Sequence, residues 1–263
     1  MSTPSTSSAL TSSPTLGITV FCGASPGNSP AFSLAARQVA RALAKEGVEC
    51  IYGGGTSGIM GLVRSETIEA KGRVRGIIPA AFLSAEAPDR KVEDQHEVET
   101  VVSSMHERKK MMADLSQAFI GLPGGFGTLE EVAEMTTWSQ LGIHVKPVVL
   151  LNVNGFYSPL RDFIENAIQS GFIAEKNRNF LVFVDSPSSS SSPSQPFSGA
   201  SLSSTSSSSA ATTQPSPIPE ADGGDEFDWG RAALSAIREW QKLGSGGAEA
   251  FSFEWKGERR EAR

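Results

Sequence analysis

A glycine-rich segment at residues 123–131, Pro-Gly-Gly-Phe-Gly-Thr-Leu-Glu-Glu, contains the residues best suited to bind an anion. Its three glycines allow the backbone to approach a ligand closely and to turn amide groups toward it. A helix predicted to begin near Thr128 adds the positive end of its dipole. The segment therefore predicts a cradle for a group such as a 5′-phosphate. No Lys-Ser or Lys-Thr pair follows the glycines, which excludes a Walker A loop for a triphosphate and magnesium.

Two carboxylates, Glu130 and Glu131, end this segment and are candidates for electrostatic or acid–base catalysis. Thr128 and Glu131 also match a capping box, Thr-x-x-Glu, in which both side chains simply cap the start of a helix. Capping explains neither Glu130 nor the number of glycines. A catalytic and a structural interpretation therefore both stand.

A second glycine cluster lies at residues 53–58 and has the pattern GxGxxG. A dinucleotide-binding loop of this pattern requires an acidic residue at the end of the next strand, to hold a ribose hydroxyl. That strand ends in Ile77-Ile78-Pro79, so a nicotinamide cofactor is not expected. The cluster either contacts a nucleotide or forms a tight strand-to-helix turn. Its candidate nucleotide contacts are Gly53, Gly54, Gly55 and Gly58.

A charged run, Met-His-Glu-Arg-Lys-Lys at residues 105–110, precedes the strand that leads into the segment at 123–131. Such a run is usually a solvated helix face, but this position brings it close to the glycines. His106 is a candidate acid or base, and a local hydrogen-bond partner is the alternative.

The elements that must position these residues alternate along the chain, which predicts an α/β fold of the Rossmann type. We expect a doubly wound parallel sheet of about seven strands with helices on both faces, and a ligand site at the carboxyl ends of the strands. The predicted strands are short, mostly apolar runs at 18–22, 49–52, 74–78, 98–102, 118–122, 147–151 and 181–184. The predicted helices are one that starts at Ser29-Pro30 and stops at Gly47, followed by 59–70, 105–116, 129–141, 159–170 and 229–243.

Composition predicts one domain over residues 17–245, with a disordered tail at 1–16 and a second tail at 246–263. A Ser- and Pro-rich insertion at 186–225 lacks the apolar residues needed to fold, so we expect a mobile loop there. The formal net charge of −6 gives no electrostatic reason to expect nucleic acid or an anionic membrane as partner. The sequence has neither a long apolar span nor a targeting signal, so we expect a cytoplasmic protein. The two cysteines, Cys22 and Cys50, are expected to be buried, reduced thiols, and no metal-ligand spacing occurs.

Taken together, these motifs resemble the Lonely Guy family of cytokinin-activating phosphoribohydrolases, which are often mislabelled lysine decarboxylases. The pairing of Met-His-Glu-Arg-Lys with PGGxGTxxE is the most specific feature. The similarity covers about residues 17–185 and resumes weakly in the last helix. The matching pieces lie at 21–27, 52–58, 76–79, 105–109, 123–131 and 137–144.

The resemblance implies a homodimer whose two active sites lie at the subunit interface. The chemistry requires no metal, and we expect no cofactor. It implies Arg108 and Glu131 as catalytic residues. The substrate contacts that it implies are Glu86, Arg108, Lys109, Gly124, Gly125, Phe126, Gly127, Thr128, Leu129, Glu130 and Thr136. The chain departs from the plant pattern at Phe126, where Tyr is usual, and at Gln117, where Asp is common. Its Ser-rich insertion resembles a fungal elaboration.

The activity that the resemblance implies is hydrolysis of the N-glycosidic bond of a cytokinin 5′-monophosphate, which releases the purine base and ribose 5-phosphate. A carboxylate beneath the sugar stabilises the positive charge that develops there. AMP or another purine nucleotide is an alternative substrate, and a nonenzymatic nucleotide carrier of the same fold is an alternative function. A lysine decarboxylase needs pyridoxal phosphate on a lysine, and Lys109 and Lys110 lie in a charged helix instead of an evident cofactor pocket.

Overall fold

A computed structural model of the chain describes residues 17–83, 95–187 and 227–244. Both predicted tails, nearly all of the predicted insertion at 186–225, and Glu86 lie outside these residues. The described residues form one parallel sheet of seven strands in the order β4-β3-β2-β1-β5-β6-β7. The strands are β1 Gly17–Phe21, β2 Cys50–Tyr52, β3 Val74–Pro79, β4 Glu97–Val102, β5 Ser116–Gly121, β6 Val148–Leu151 and β7 Leu181–Val184.

The central strands form because their residues are apolar almost throughout, as a strand covered on both faces requires. Every residue of β1, β2 and β6 is buried. All seven predicted strands are confirmed, with ends that differ from the prediction by two residues at most.

In the described part of the chain, six α-helices cover the two faces of the sheet, as predicted. Helices α1, α2 and α6 contribute to one apolar cluster, and α3, α4 and α5 contribute to the cluster on the opposite face. No described helix is both long enough and apolar enough to cross a bilayer. The helices are α1 Pro30–Lys45, α2 Gly58–Glu69, α3 Met105–Leu115, α4 Phe126–Gln140, α5 Ser158–Gln169 and α6 Trp229–Lys242.

Two of these helices confirm particular sequence signals. Ser29 caps α1 by accepting a hydrogen bond from the amide of Ala31, and Pro30 is the first helical residue. The last helix, α6, packs back on the sheet as predicted, and its Trp240 Nε1 donates to the carbonyl of Asn179 at 2.8 Å.

The start of α4 corrects the prediction. The helix begins at Phe126 instead of near Thr128, and Gly125 is its N-cap, in an extended conformation and without a side-chain cap. Thr128 and Glu131 both lie inside the helix, so the capping-box interpretation is wrong. Phe126 and Gly127 are weak helix formers, which is why the sequence pattern places the start too late. An N-cap glycine leaves the first amide groups of the helix available for another acceptor.

The site lies where the direction of chain winding reverses. Strand β1 leads to α1 on one face of the sheet, and its neighbour β5 leads to α4 on the other. This reversal opens a crevice between the loops after β1 and β5, which is the usual ligand site of doubly wound folds. The two loops are joined by a hydrogen bond from the amide of Gly23 to the carbonyl of Pro123, at 3.2 Å.

Tyr157, immediately before α5, holds the entry to the second loop. Its hydroxyl donates to the carbonyl of Leu122 at 2.7 Å, and its amide donates to Asn152 Oδ1 at 2.7 Å. Burial raises the pKa of Tyr157, so the hydroxyl remains a donor at neutral pH. The hydrogen bond from Tyr157 therefore fixes Leu122, the residue just before Pro123 and the glycines, to the core.

Candidate active site

A cavity of about 620 Å³ occupies this crevice, within the usual range of roughly 300–1,000 Å³ for small-molecule sites. The loops after β1 and β5 form its floor, and α1, α2 and the segment after β6 contribute apolar walls. The wall residues that matter most are Phe32, Ile59, Met60 and Phe156. Sequence reasoning missed these four, because no local pattern distinguishes them from ordinary core residues.

Arg108 from α3 and Glu131 from α4 face each other in this cavity. Arg108 Nη2 lies 3.4 Å from Glu131 Oε1, and the two side chains are only 6 % and 9 % exposed. Both residues line the cavity. The structure thus brings together the two residues that the resemblance implies as catalytic.

The Arg108 guanidinium retains hydrogen-bonding capacity. Its Nη1 contacts the sulfur of Met105 at 3.8 Å, which is a weak acceptor. Within residues 17–83, 95–187 and 227–244, its buried Nε finds no acceptor. A desolvated cation with unused donors is costly unless another anion or polar group completes it. The cavity therefore favours an anionic or oxygen-rich ligand beside Arg108.

The glycines after β5 form the second polar part of the cavity. A Cβ atom at Gly124 would overlap Thr128 Oγ1 and lie 2.9 Å from the amide nitrogen of Gly23, so only glycine fits there. The first amide groups of α4 have no acceptor within the helix, because the ladder of i to i−4 bonds starts later. Gly124, Gly125, Gly127 and Thr128 line the cavity beside these amides, an arrangement suited to a phosphate group.

Lys109 and Glu130, which the resemblance implies as substrate contacts, are paired with each other. The Lys109 ammonium forms an ion pair with Glu130 and a second one with Glu134, at 2.9 Å. Burial alone would lower the pKa of Lys109, but the hydrogen bonds and charges of these two carboxylates outweigh it and raise the pKa. Neither Lys109 nor Glu130 is among the residues that line the cavity. These ion pairs connect α3 to α4.

Three other implied contacts also lie outside the cavity. Phe126 is 92 % exposed and Leu129 is 45 % exposed. Thr136 donates within its own helix, to the carbonyl of Val132 at 2.8 Å. His106, the candidate acid or base, lies on the exposed face of α3.

The second glycine cluster, at residues 53–58, does not line the cavity either. Gly54 and Gly58 have φ values of 85° and 60°, which favour glycine, and a Cβ atom at Gly58 would lie 2.5 Å from the amide nitrogen of Ser25. The tight-turn interpretation therefore holds for these two glycines. Ile59 and Met60, which follow the cluster, reach the cavity in its place.

Cys22 lines the cavity as a neutral thiol. Burial, followed by the charge of Glu131, raises the pKa of Cys22 well above its ordinary value. A protonated thiol is a poor nucleophile, so Cys22 contributes packing and not covalent catalysis. Both cysteines are buried and free, as predicted.

The doubly wound sheet, the crevice at its reversal point and the buried Arg108–Glu131 pair define an α/β protein with a candidate site for a small anionic ligand. A family model described as "possible lysine decarboxylase" matches residues 60–191. A probable cytokinin riboside 5′-monophosphate phosphoribohydrolase of Oryza sativa subsp. japonica is 47 % identical over 165 residues, which is 63 % of this chain and 72 % of that protein. A cytokinin riboside 5′-monophosphate phosphoribohydrolase of Arabidopsis thaliana is 46 % identical over 165 residues, 63 % of this chain and 76 % of that one. The chain belongs to the family of these phosphoribohydrolases, which confirms the resemblance.

Among solved structures, the chain is similar to a molybdenum cofactor carrier protein of Chlamydomonas reinhardtii. The identity is 22 % and the TM-score is 0.46, over 63 % of this chain and 86 % of that one.

We expect inorganic phosphate to raise the melting temperature of the protein, because the first amides of α4 have no acceptor within the helix and Arg108 Nε has none among the described residues. Phosphate at a hundred times its dissociation constant should add about 2.7 kcal/mol to the unfolding free energy. Thermal denaturation in phosphate and in sodium chloride of equal ionic strength measures the effect. Gly124→Ala should abolish it, since the new Cβ overlaps Thr128 and the Gly23 amide and so displaces the glycine loop that would hold the anion. An equal shift in that variant would locate the anion elsewhere.

Proposed function

We propose that this chain hydrolyses the N-glycosidic bond of cytokinin riboside 5′-monophosphates and releases the N6-substituted adenine and ribose 5-phosphate. The names of relatives that are 44–47 % identical support this activity. The single observation that carries the proposal is the buried Arg108–Glu131 pair beside a helix start that is open to a phosphate.

The phosphate binds at the amides of α4 and at the glycines of 124–127. Arg108 directs its unused donors toward ribose or phosphate oxygens. These hydrogen bonds fix the sugar between the phosphate-binding glycines and Glu131. A guanidinium can make two parallel hydrogen bonds to such oxygens, which sets orientation as well as affinity. Binding of the phosphate at the glycines and the start of α4 accounts for a preference for monophosphates over free ribosides, which lack this group.

Glu131 acts on the reacting carbon. As the C1′–N9 bond breaks, the bonding electrons leave with the base and positive charge develops on the ribose. The Glu131 carboxylate stabilises this charge and orients a water molecule, which adds its hydroxyl to C1′ while a proton goes to the departing base. Because Glu131 is buried, its charge acts through a medium that screens less than water does.

The remaining volume suits a purine that carries an apolar N6 substituent. Phe32 and Phe156 pack edge to face on one wall of the cavity, with their ring centroids 6.0 Å apart. Ile59 and Met60 line another part. Apolar walls around a few polar groups are typical of sites that bind such a ligand.

A homodimer that completes the site is part of the proposal. Phe126 and Leu129 lie one turn apart at the start of α4, beside the cavity, and both are exposed. Burial of these side chains against a second copy would remove apolar surface from water next to each active site. Light scattering should give twice the mass of one chain, and a monomer that is fully active would contradict this part.

We also propose that the protein is cytoplasmic and that residues 17–245 form a single domain. The two free, buried cysteines are consistent with a reducing compartment.

Product chromatography tests the activity itself. The purified protein is incubated with N6-isopentenyladenosine 5′-monophosphate, with its riboside and with AMP. We expect free base and ribose 5-phosphate from the first substrate, and little from the other two. Release from AMP alone would reassign the substrate, and saturable binding without free base would favour a carrier. Decarboxylation of lysine with added pyridoxal phosphate would favour the decarboxylase.

Glu131→Gln should reduce turnover by roughly 10²- to 10⁴-fold, the usual loss for a positioned acid–base group. Glu130→Gln is the matched control at the adjacent position. Its loss should be much smaller, because the Glu130 side chain is 51 % exposed and is paired with Lys109. Steady-state kinetics on protein with wild-type circular dichroism checks both variants. The opposite order of effects would transfer the essential carboxylate to Glu130.

A further inference from the structure

We propose that Gly53 is a positioning residue, whose bare Cα provides the seat for the Arg108 guanidinium. Any side chain at this position displaces Arg108 from Glu131. Gly53 belongs to the second glycine cluster, at residues 53–58, which lies outside the cavity. Its catalytic consequence rests on the proposed function.

The contact between Gly53 and Arg108 is the first observation. Gly53 directly follows β2 and is buried. A Cβ atom at Gly53 would overlap Arg108 Nη2 and lie 3.1 Å from Arg108 Cζ. The guanidinium therefore packs directly on the Cα of Gly53, in space that a methyl group would occupy.

The affected nitrogen is the one that faces the carboxylate. Arg108 Nη2 is also the atom that lies 3.4 Å from Glu131 Oε1. Among the described residues, the guanidinium also makes a weak contact from Nη1 to the sulfur of Met105, at 3.8 Å. Because these lateral contacts are weak, packing against the Cα of Gly53 contributes strongly to the position of the guanidinium.

The neighbouring glycines have a different task. Gly54 has a φ of 85°, and a Cβ atom there would lie 2.7 Å from the Cβ of Ile78 in the core. Gly53 is not among the glycines with positive φ. The nearest obstacles to a Cβ at Gly53 are the ends of two flexible side chains, Arg108 and Met60, and the sulfur of Met60 would lie 3.2 Å away. Alanine at Gly53 should therefore move side chains, whereas alanine at Gly54 should strain the backbone.

The glycine cluster thus combines two functions in adjacent residues. Gly54 and Gly58 permit the turn from β2 into α2, and Gly53 leaves room for the arginine that enters from α3. Arg108 lies on α3, and Gly53 lies in the turn that leads into α2. These helices cover opposite faces of the sheet, so the contact between the two residues aligns the helices at the active site.

The test is a double-mutant cycle on the full chain, with Gly53→Ala, Arg108→Ala and the double variant. We expect Gly53→Ala to lower kcat/KM by about 10²-fold, the usual cost of a misplaced reacting group. Its melting temperature should stay close to that of the wild type, while Gly54→Ala, the matched control, should melt at a markedly lower temperature. In the Arg108→Ala background, Gly53→Ala should have no further effect, because nothing is left to displace.

Binding of ribose 5-phosphate, measured by calorimetry, provides a readout that does not depend on turnover. Gly53→Ala should weaken this binding in the presence of Arg108 and leave it unchanged in Arg108→Ala. Wild-type protein that binds ribose 5-phosphate but releases no base would refute the proposed function, and the binding cycle would still test the seat.

Wild-type kinetics and binding in Gly53→Ala would overturn the inference, as would equal losses in both Arg108 backgrounds. If Gly53→Ala does not fold, the double variant decides. Recovery of folding without the guanidinium supports the seat, and failure to recover assigns Gly53 to the turn.

Discussion

The site depends on keeping a guanidinium and a carboxylate together out of water. Desolvation of two charges is expensive, and it is repaid only if the geometry is held and the remaining donors are satisfied. At 3.4 Å the Arg108–Glu131 pair is loose, and Arg108 Nε has no acceptor in the described part of the chain. An incomplete buried pair of this kind is unfavourable for stability alone. It is favourable for a site in which the ligand supplies the missing acceptors.

The arrangement around the pair holds the two helices in register. Lys109 follows Arg108 on α3, and Glu130 precedes Glu131 on α4, so each helix contributes adjacent residues to two different pairs. Consecutive residues on a helix point about 100° apart, because there are about 3.6 residues per turn. The Lys109–Glu130 pair can therefore lie between the two helices while the Arg108–Glu131 pair faces the cavity. This geometry separates two neighbouring glutamates that have the same chemistry into a structural and a catalytic candidate.

The sheet was the most predictable part of the structure because its signals are local. Strands such as β1 and β6 are apolar throughout, and the capping serine and the proline of α1 lie next to each other in the sequence. The start of α4 was less predictable, since a ligand-binding helix start can lack the side-chain cap that sequence reasoning looks for. The aromatic walls at Phe32 and Phe156 were missed because nothing in their local sequence distinguishes them from core residues.

The sequence by itself determined the alternation of strands and helices, the parallel sheet, the family and the two catalytic candidates. Those follow from periodicity and from motifs of contiguous residues. Only the tertiary structure decided which glutamate faces the cavity, that Lys109 pairs with carboxylates on α4, and that Gly53 lies under Arg108. These are contacts between residues far apart in the chain, and they depend on where the crossovers place each helix on the sheet. The sequence specifies that placement, but no local pattern of residues displays it.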